Sequence, residues 1–138
     1  LDILQEQAHG HMRMQDVALV AGLTTGATTR LVNRLEERAL LRRVLCESDR
    51  RGISTELTAD GLELLARARA IAELCGAHGV TLPDAAVQFP LRHPAVVSAV
   101  LGARNGEQMQ GGLDRDSAPI PDVLWSDLEA AGFIPSLA

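Results

Sequence analysis

Residues 24–40, TTGATTRLVNRLEERAL, constrain what this chain can be more than any other stretch. The spacing predicts a helix that packs along one side and offers the other to a charged polymer. With Leu31 at the centre of the packing face, Thr24, Ala27, Leu35 and Arg38 lie within half a turn of it, at the helical period. The opposite face carries Thr25, Gly26, Thr29 and Asn33 in its first half and Glu36 and Glu37 in its second, with Arg30 and Arg34 side by side at its flank. A helix that enters the major groove by its N-terminal half needs that order. Its positive dipole end favours phosphate, and small polar side chains let it approach base edges. Glu36 and Glu37 are then expected to point away from DNA. An ordinary amphipathic surface helix has the same periodicity, so the flanking sequence decides.

On the N-terminal side, Leu1 to Ala8 reads as a short helix that Gly10 ends, and His11 to Met14 as an extended piece. Asp16 to Leu23 reads as helix again, packing through Val17, Leu19, Val20 and Leu23. Gly22-Leu23-Thr24 is then a tight turn, with Thr24 or Thr25 as the next N-cap. On the C-terminal side, Leu41 to Leu45 and Gly52 to Leu57 read as strands; Ile53, Thr55 and Leu57 alternate with Ser54 and Glu56. The polar tip between them, Cys46 to Arg51, makes a hairpin. Thr58 caps a long helix with Asp60 at its positive end and an apolar face of Leu64, Leu65, Ala68, Ile71, Ala72 and Cys75. A helix-turn-helix followed by an arginine-tipped hairpin is a winged helix.

The charge distribution agrees. The net charge of -5 belongs entirely to the second half: residues 1–69 hold ten acids and ten arginines, residues 70–138 eight acids and three arginines. Between Thr24 and Arg51, seven arginines face four acids, and only this region has the electrostatics of a nucleic-acid surface. Cys46 and Cys75 match no metal or disulfide spacing, which points to reduced thiols and a cytoplasmic setting; Cys46, in the hairpin, is a candidate redox sensor, with an inert thiol as the plainer reading. His9, His11, His78 and His93 are isolated and read as surface or packed residues. No apolar run approaches the roughly 18 residues of a membrane span, and no secretory signal is expected.

Three ordered blocks, Thr24 to Glu36, Asp49-Arg50-Arg51, and Leu57-Thr58-Ala59-Asp60-Gly61, resemble the MarR-type transcriptional regulators over about residues 1–70. The resemblance implies a recognition helix in the major groove of double-stranded DNA and a wing, residues 46–51, in the adjacent minor groove. It implies that Thr25, Thr28, Thr29, Arg30 and Arg34 contact bases and phosphates and that Arg51, beside Arg50 and braced by Asp49, is the wing arginine. An Asp49–Arg51 pair that merely stabilises the hairpin tip is the alternative. Regulators of this type are two-fold dimers, so a homodimer is the implied assembly.

Past residue 70 the text changes. Gly79 reads as a helix C-cap, and Pro83 opens a helix that Pro90 and Pro94 kink or end. Ala95 to Leu101, AVVSAVL, reads as a strand, Glu107 to Leu113 as a short helix, and Asp122 onward as a final helix. That last helix packs through Val123, Leu124, Leu128 and Ala131, with Trp125 also a packing residue, and stops at Gly132. Ile71 to Cys75, His78-Gly79-Val80, Ala85 to Leu91, His93 to Val96, Gly102-Ala103-Arg104 and Pro119-Ile120-Pro121 resemble the C-terminal part of the aldo/keto reductases. The resemblance implies the last strand of a (β/α)8 barrel, followed by a loop and helix that hold the adenosine phosphate of NADP through Arg104 and Gln108. Where that family has Asn, this chain has Gly112. A complete barrel needs about 250 residues, and the family's catalytic tyrosine and lysine have no counterpart in 138 residues without Tyr or Lys.

The sequence therefore predicts an α+β, mainly helical chain that is not an enzyme. Residues 1–70 form a winged-helix DNA-binding domain, and residues 71–138 a reductase-like fragment with one orphan strand. The predicted function is DNA-binding transcriptional regulation; the rivals are an NADP-binding fragment without catalytic residues and a non-functional fused reading frame.

Overall fold

The computed structural model describes residues 11–46 and 49–136, with the backbone alone at 11, 46 and 49–52. The expected helix at Leu1 to Ala8, its stop at Gly10, and His9 lie outside the described residues. The chain divides into two compact units, Leu1–Arg67 and Ala68–Ala138.

In the first unit, β1 (His11–Arg13) leads directly into α1 (Met14–Val20), and α2 (Thr25–Glu37) follows a short turn. β2 (Leu41–Cys46) and β3 (Asp49–Leu57) form the hairpin, and α3 (Ala59–Ala77) begins straight after it. The three strands make an antiparallel sheet in the order β1-β3-β2. Both pairings run through β3: Met12 lies opposite Thr55, and Leu41 opposite Leu57. Met12, Val17, Val32 and Leu41 form the core, with Met14, Leu35 and Leu57 packed against them. The fold is α+β and mainly helical.

The turn between α2 and β2 is built from backbone. Ala39 takes a left-handed φ of 55°, which lets its N–H reach the carbonyl of Glu36 at 2.8 Å and the Leu40 N–H reach that of Leu35 at 2.9 Å. These bonds satisfy carbonyls that the end of α2 would otherwise leave open. Thr58 joins the same corner, its hydroxyl donating to the Ala39 carbonyl and accepting from the Gly61 N–H at 3.1 Å, so it caps α3 as expected. Gly61 is required there by close approach: a Cβ would stand 1.9 Å from the Leu40 carbonyl oxygen.

In the second unit, Cys75, Val80, Ala85, Leu124, Trp125 and Leu128 form a core, flanked by Ile71, Leu74, Phe89, Ile120, Phe133 and Ile134. Gly79 (φ 71°) ends α3 as expected. Thr81 and Asp84 make a reciprocal capping box for α4 (Leu82–Gln88), which opens with Pro83 and runs into a 3-10 turn, Phe89–Arg92. α5 (Gly106–Asp116), capped by Asn105, continues through Gly111 and Gly112, three residues past its expected end. α6 (Asp122–Ala130) stops before Gly132 (φ 71°). Trp125 is a core residue, as expected; Arg92 stacks 4.8 Å from its ring centroid and pairs with Glu129 at 3.0 Å.

Two expectations are corrected. Ala95 to Leu101 forms no strand: residues 96–103 have no regular secondary structure, and Val97 and Val100 are 94% and 96% exposed. β-Branched residues favour strands by packing on a pleated surface beside a neighbour, and no strand of this unit offers an edge. In α1 the packing residues are Val17 and Ala18, while Leu19 and Val20 are 80% and 58% exposed. A helix of seven residues has room to bury only one narrow face, and here that face is Val17 and Ala18. Val123 and Leu64, expected to pack, are 52% and 38% exposed.

No helix among the described residues is long and apolar enough to cross a membrane. No group of His, Cys, Asp and Glu among them is placed to hold a metal ion. Burial raises the Cys75 thiol above its usual range, which leaves it an unreactive core residue. The Cys46 side chain lies outside the described residues.

Candidate nucleic-acid interface

α2 is positioned by its start. The Thr24 hydroxyl accepts from the Ala27 N–H at 3.3 Å, which identifies Thr24 rather than Thr25 as the cap. From there the helix buries Thr28 and Val32 completely or nearly so, with Leu35 behind them. The buried stripe is therefore turned from the expected one: Leu31 is 40% exposed. Thr28 is the reason. Its hydroxyl donates back to the Thr24 carbonyl at 3.1 Å, so it enters the core with its polar group satisfied. Thr28 consequently leaves the set of predicted DNA contacts, since a fully buried side chain presents nothing to a groove.

The rotation moves Arg30 from the flank to the middle of the outer face. With Thr28, Val32 and Leu35 inward, helical geometry puts Gly26, Arg30, Asn33 and Glu37 outward, with Thr29 and Arg34 beside them. Thr25, Thr29, Arg30 and Arg34 are all exposed. The Thr29 hydroxyl donates to the Thr25 carbonyl at 2.9 Å, leaving its oxygen as an acceptor. The two acids divide. Glu36 turns toward β2, as an acid at the edge of a phosphate-binding face should, but Glu37 shares the outer face with Arg30, about 10 Å further along the axis.

The arginines of this unit also divide. Arg42 pairs with Glu56, its partner across the hairpin, and Arg43 pairs with Glu36 on α2. Arg30 and Arg34 have no acidic partner among the described residues. The sequence points to Arg30 and Arg34 as contacts and counts Arg42 and Arg43 only in the local charge; the register of the hairpin shows that the latter two hold the fold together.

The hairpin projects beyond the body of the sheet, with a register irregularity between Leu45 and Cys46 that brings Cys46 opposite Asp49. Asp49, Arg50 and Arg51 fall in the first residues of β3 rather than in a loop. Their side chains, and with them the expected Asp49–Arg51 brace, lie outside the described residues, as do Glu47 and Ser48.

The second predicted site lies in the other unit. Arg104 and Gln108 do come together: the Gln108 Oε1 accepts from the Arg104 backbone N–H at 3.0 Å, while its own N–H is held by Asn105 at 2.9 Å. An open cavity of about 1230 Å³ runs beside them, lined by Val97, Leu101, Gln108, Met109 and Leu113 among others. Gln108 therefore caps the turn into α5 with its carbonyl, which leaves its NH2 as the donor, and Gly112 adds no side chain.

Comparison with known proteins finds two different likenesses in one chain. Residues 1–52 match the model of the MarR family. A 72-residue stretch is 39% identical to pyridoxal 4-dehydrogenase from Microbacterium luteolum, covering 52% of this chain and 21% of that protein. D-threo-aldose 1-dehydrogenase from a Pseudomonas species is 39% identical over 74 residues, covering 54% of this chain and 22% of the enzyme. The chain thus spans about a fifth of the length of these curated relatives. Among solved structures, AbsC, a MarR family transcriptional regulator from Streptomyces coelicolor, is 29% identical with a TM-score of 0.46, over 91% of this chain and 70% of that one. The chain is thus similar to the MarR family over residues 1–52 and, over about half of its length, to a part of the two dehydrogenases.

Proposed function

We propose that this chain, whose N-terminal unit carries a MarR-type winged helix, is a sequence-specific DNA-binding transcriptional regulator acting in the cytoplasm. In this reading α2 enters the major groove of double-stranded DNA and the hairpin tip, residues 46–51, reaches the adjacent minor groove. The supporting observation is the division of the arginines: Arg30 and Arg34, on the outer face of α2, have no acidic partner among the described residues, while Arg42 and Arg43 are held internally. Exposed guanidinium groups one turn apart suit phosphates and the acceptor edge of guanine. Phosphate contacts supply most of the affinity, and Thr25, Thr29, Arg30 and the wing residues Asp49, Arg50 and Arg51 supply selectivity. A narrow minor groove focuses negative potential onto an inserted arginine, which is the role assigned to Arg51. A homodimer would present two such helices to a two-fold site.

The test is a fluorescence-anisotropy titration with a short mixed-sequence duplex at two salt concentrations, comparing the parent with Arg30→Ala/Arg51→Ala. Binding by the parent should weaken steeply with salt. Each phosphate contact removed should lower the slope of log affinity against log salt by about one. A parent that shows no binding at low salt would defeat the reading.

The partial identity to the two dehydrogenases supports a second reading, an NADP-binding fragment in which Arg104 and Gln108 hold the cofactor's phosphate. Within these 138 residues there is no Tyr or Lys to act as proton donor or its partner. This reading therefore stops at binding. NADP titration of the parent and of Arg104→Ala separates it from the first.

A further inference from the structure

Arg43 sits one residue from Arg42 on β2, so strand alternation sends the two side chains to opposite faces of the sheet. Arg42 closes on Glu56 within the hairpin. Arg43 instead crosses to α2, where its Nη1 donates to Glu36 Oε2 and its Nη2 to Asn33 Oδ1. Asn33 and Glu36 are three residues apart and so share one edge of the helix. A planar guanidinium is suited to bridging two such acceptors; a lysine ammonium lacks the fixed fork. The Arg43 and Glu36 side chains are only 29% and 37% exposed, which limits screening by solvent.

The same contact fixes the polarity of Asn33. A guanidinium can only donate, so the amide must turn its oxygen to Arg43 and keep its NH2 as the group available to a ligand. Asn33 lies on the outer face of α2, three residues after Arg30. A free asparagine reads adenine with both ends of its amide, accepting from N6 and donating to N7. With one lone pair of its oxygen taken by Arg43, Asn33 is held with its NH2 as the reading end, which matches guanine N7 and O6, thymine O4 or a phosphate.

We propose that Arg43 is a positioning residue for DNA readout: it ties the hairpin base to the recognition helix and fixes the Asn33 amide with its NH2 as the reading end. The inference rests on the DNA-binding reading above. It assigns no DNA contact to Arg43 itself.

The experiment begins by selecting a preferred duplex from a random pool with the unmodified chain. The ratio of its affinity to that of a scrambled duplex is then measured for the parent, Arg43→Lys, Asn33→Ala and the double variant. Arg43→Lys keeps the charge and one contact to Glu36, so the fold and the salt slope are expected to persist while the ratio falls about tenfold. Asn33→Ala should lower the ratio similarly. The double variant should cost no more than the larger single one, because the two residues act as one device.

Independent, multiplying losses would overturn the coupling, and so would an unchanged ratio in Arg43→Lys. A salt slope lowered by about one in Arg43→Met would show that Arg43 touches phosphate itself and would overturn the positioning role. A parent that enriches no duplex fails before any variant is made, and removes the regulator reading and this inference together.

Discussion

Residues 24–61 and residues 93–104 both carry strong local signals, and the structure treats them differently. In the first region each signal meets a partner. Thr24 caps α2, β3 pairs on both sides, and Gly61 admits the Leu40 carbonyl. In the second, an uncharged run with three valines finds no edge to pair with and forms no strand. Helical caps and turns are satisfied within a few residues of chain. A strand needs hydrogen-bond partners from elsewhere, and its propensity is a statement about the neighbour as much as about the run. The sheet of the first unit has that neighbour because the hairpin brings its own.

The contrast is not between a packed half and an unpacked one, and the largest predicted effect tests that. Leu124 is fully buried among Cys75, Val80, Ala85, Trp125 and Leu128. Leu124→Ala should destabilise the second unit by about 2–5 kcal/mol, the usual range for a cavity in a tight core. Trp125 is the only tryptophan and lies in that same core, so urea unfolding followed by its fluorescence reports this unit directly. A loss below about 1 kcal/mol would mean that the core is loose and that both halves of the unit, not just residues 96–103, lack partners.

Much of the fold could be read from the chain because its punctuation is local. Thr24, Thr58, Gly79, Pro83 and Gly132 mark boundaries that the structure keeps. The face of α2 was less legible. Centring the packing face on Leu31 puts that leucine inside, and the family resemblance makes Thr28 a contact, yet a threonine that bonds the carbonyl four residues back is a small apolar surface with its hydroxyl already satisfied. Its position four residues after the cap Thr24 was the available clue. In the candidate interface Arg30 and Arg34 were legible as expected contacts, but the physical reason that divides them from Arg42 and Arg43 was not. That division depends on register: Arg42 lies opposite Glu56, and Arg43 stands where Glu36 and Asn33 can reach it.

A smaller effect sharpens the favoured side of the comparison. Ala39 ends α2 with φ at 55°, a conformation in which Cβ crowds the backbone and where glycine is the usual residue. Ala39→Gly relieves that crowding but gives the unfolded chain more freedom. The expected net gain is about 0.5–1 kcal/mol in the first unit. That unit contains no tryptophan or tyrosine, so amide hydrogen exchange in β2 and β3 is the suitable readout. Faster exchange in the variant would mean that the Ala39 methyl makes a contact worth more than the strain.

The smallest effect belongs to the unpartnered run. Val97 and Val100 are almost wholly exposed, so exchanging both for threonine removes little apolar surface from any core. Val97→Thr/Val100→Thr should shift the Trp125 unfolding curve by no more than about 0.5 kcal/mol. Threonine keeps the branched shape, so strand propensity is nearly preserved and only burial is probed. A destabilisation of about 2 kcal/mol or more would show that the valines are covered in solution, because exposed methyl groups cannot yield such a loss. Repeating the curves over a range of protein concentrations then identifies the cover. A loss that shrinks on dilution, as parent and variant both become monomeric, places these valines against a second copy, and a constant one places them within their own chain.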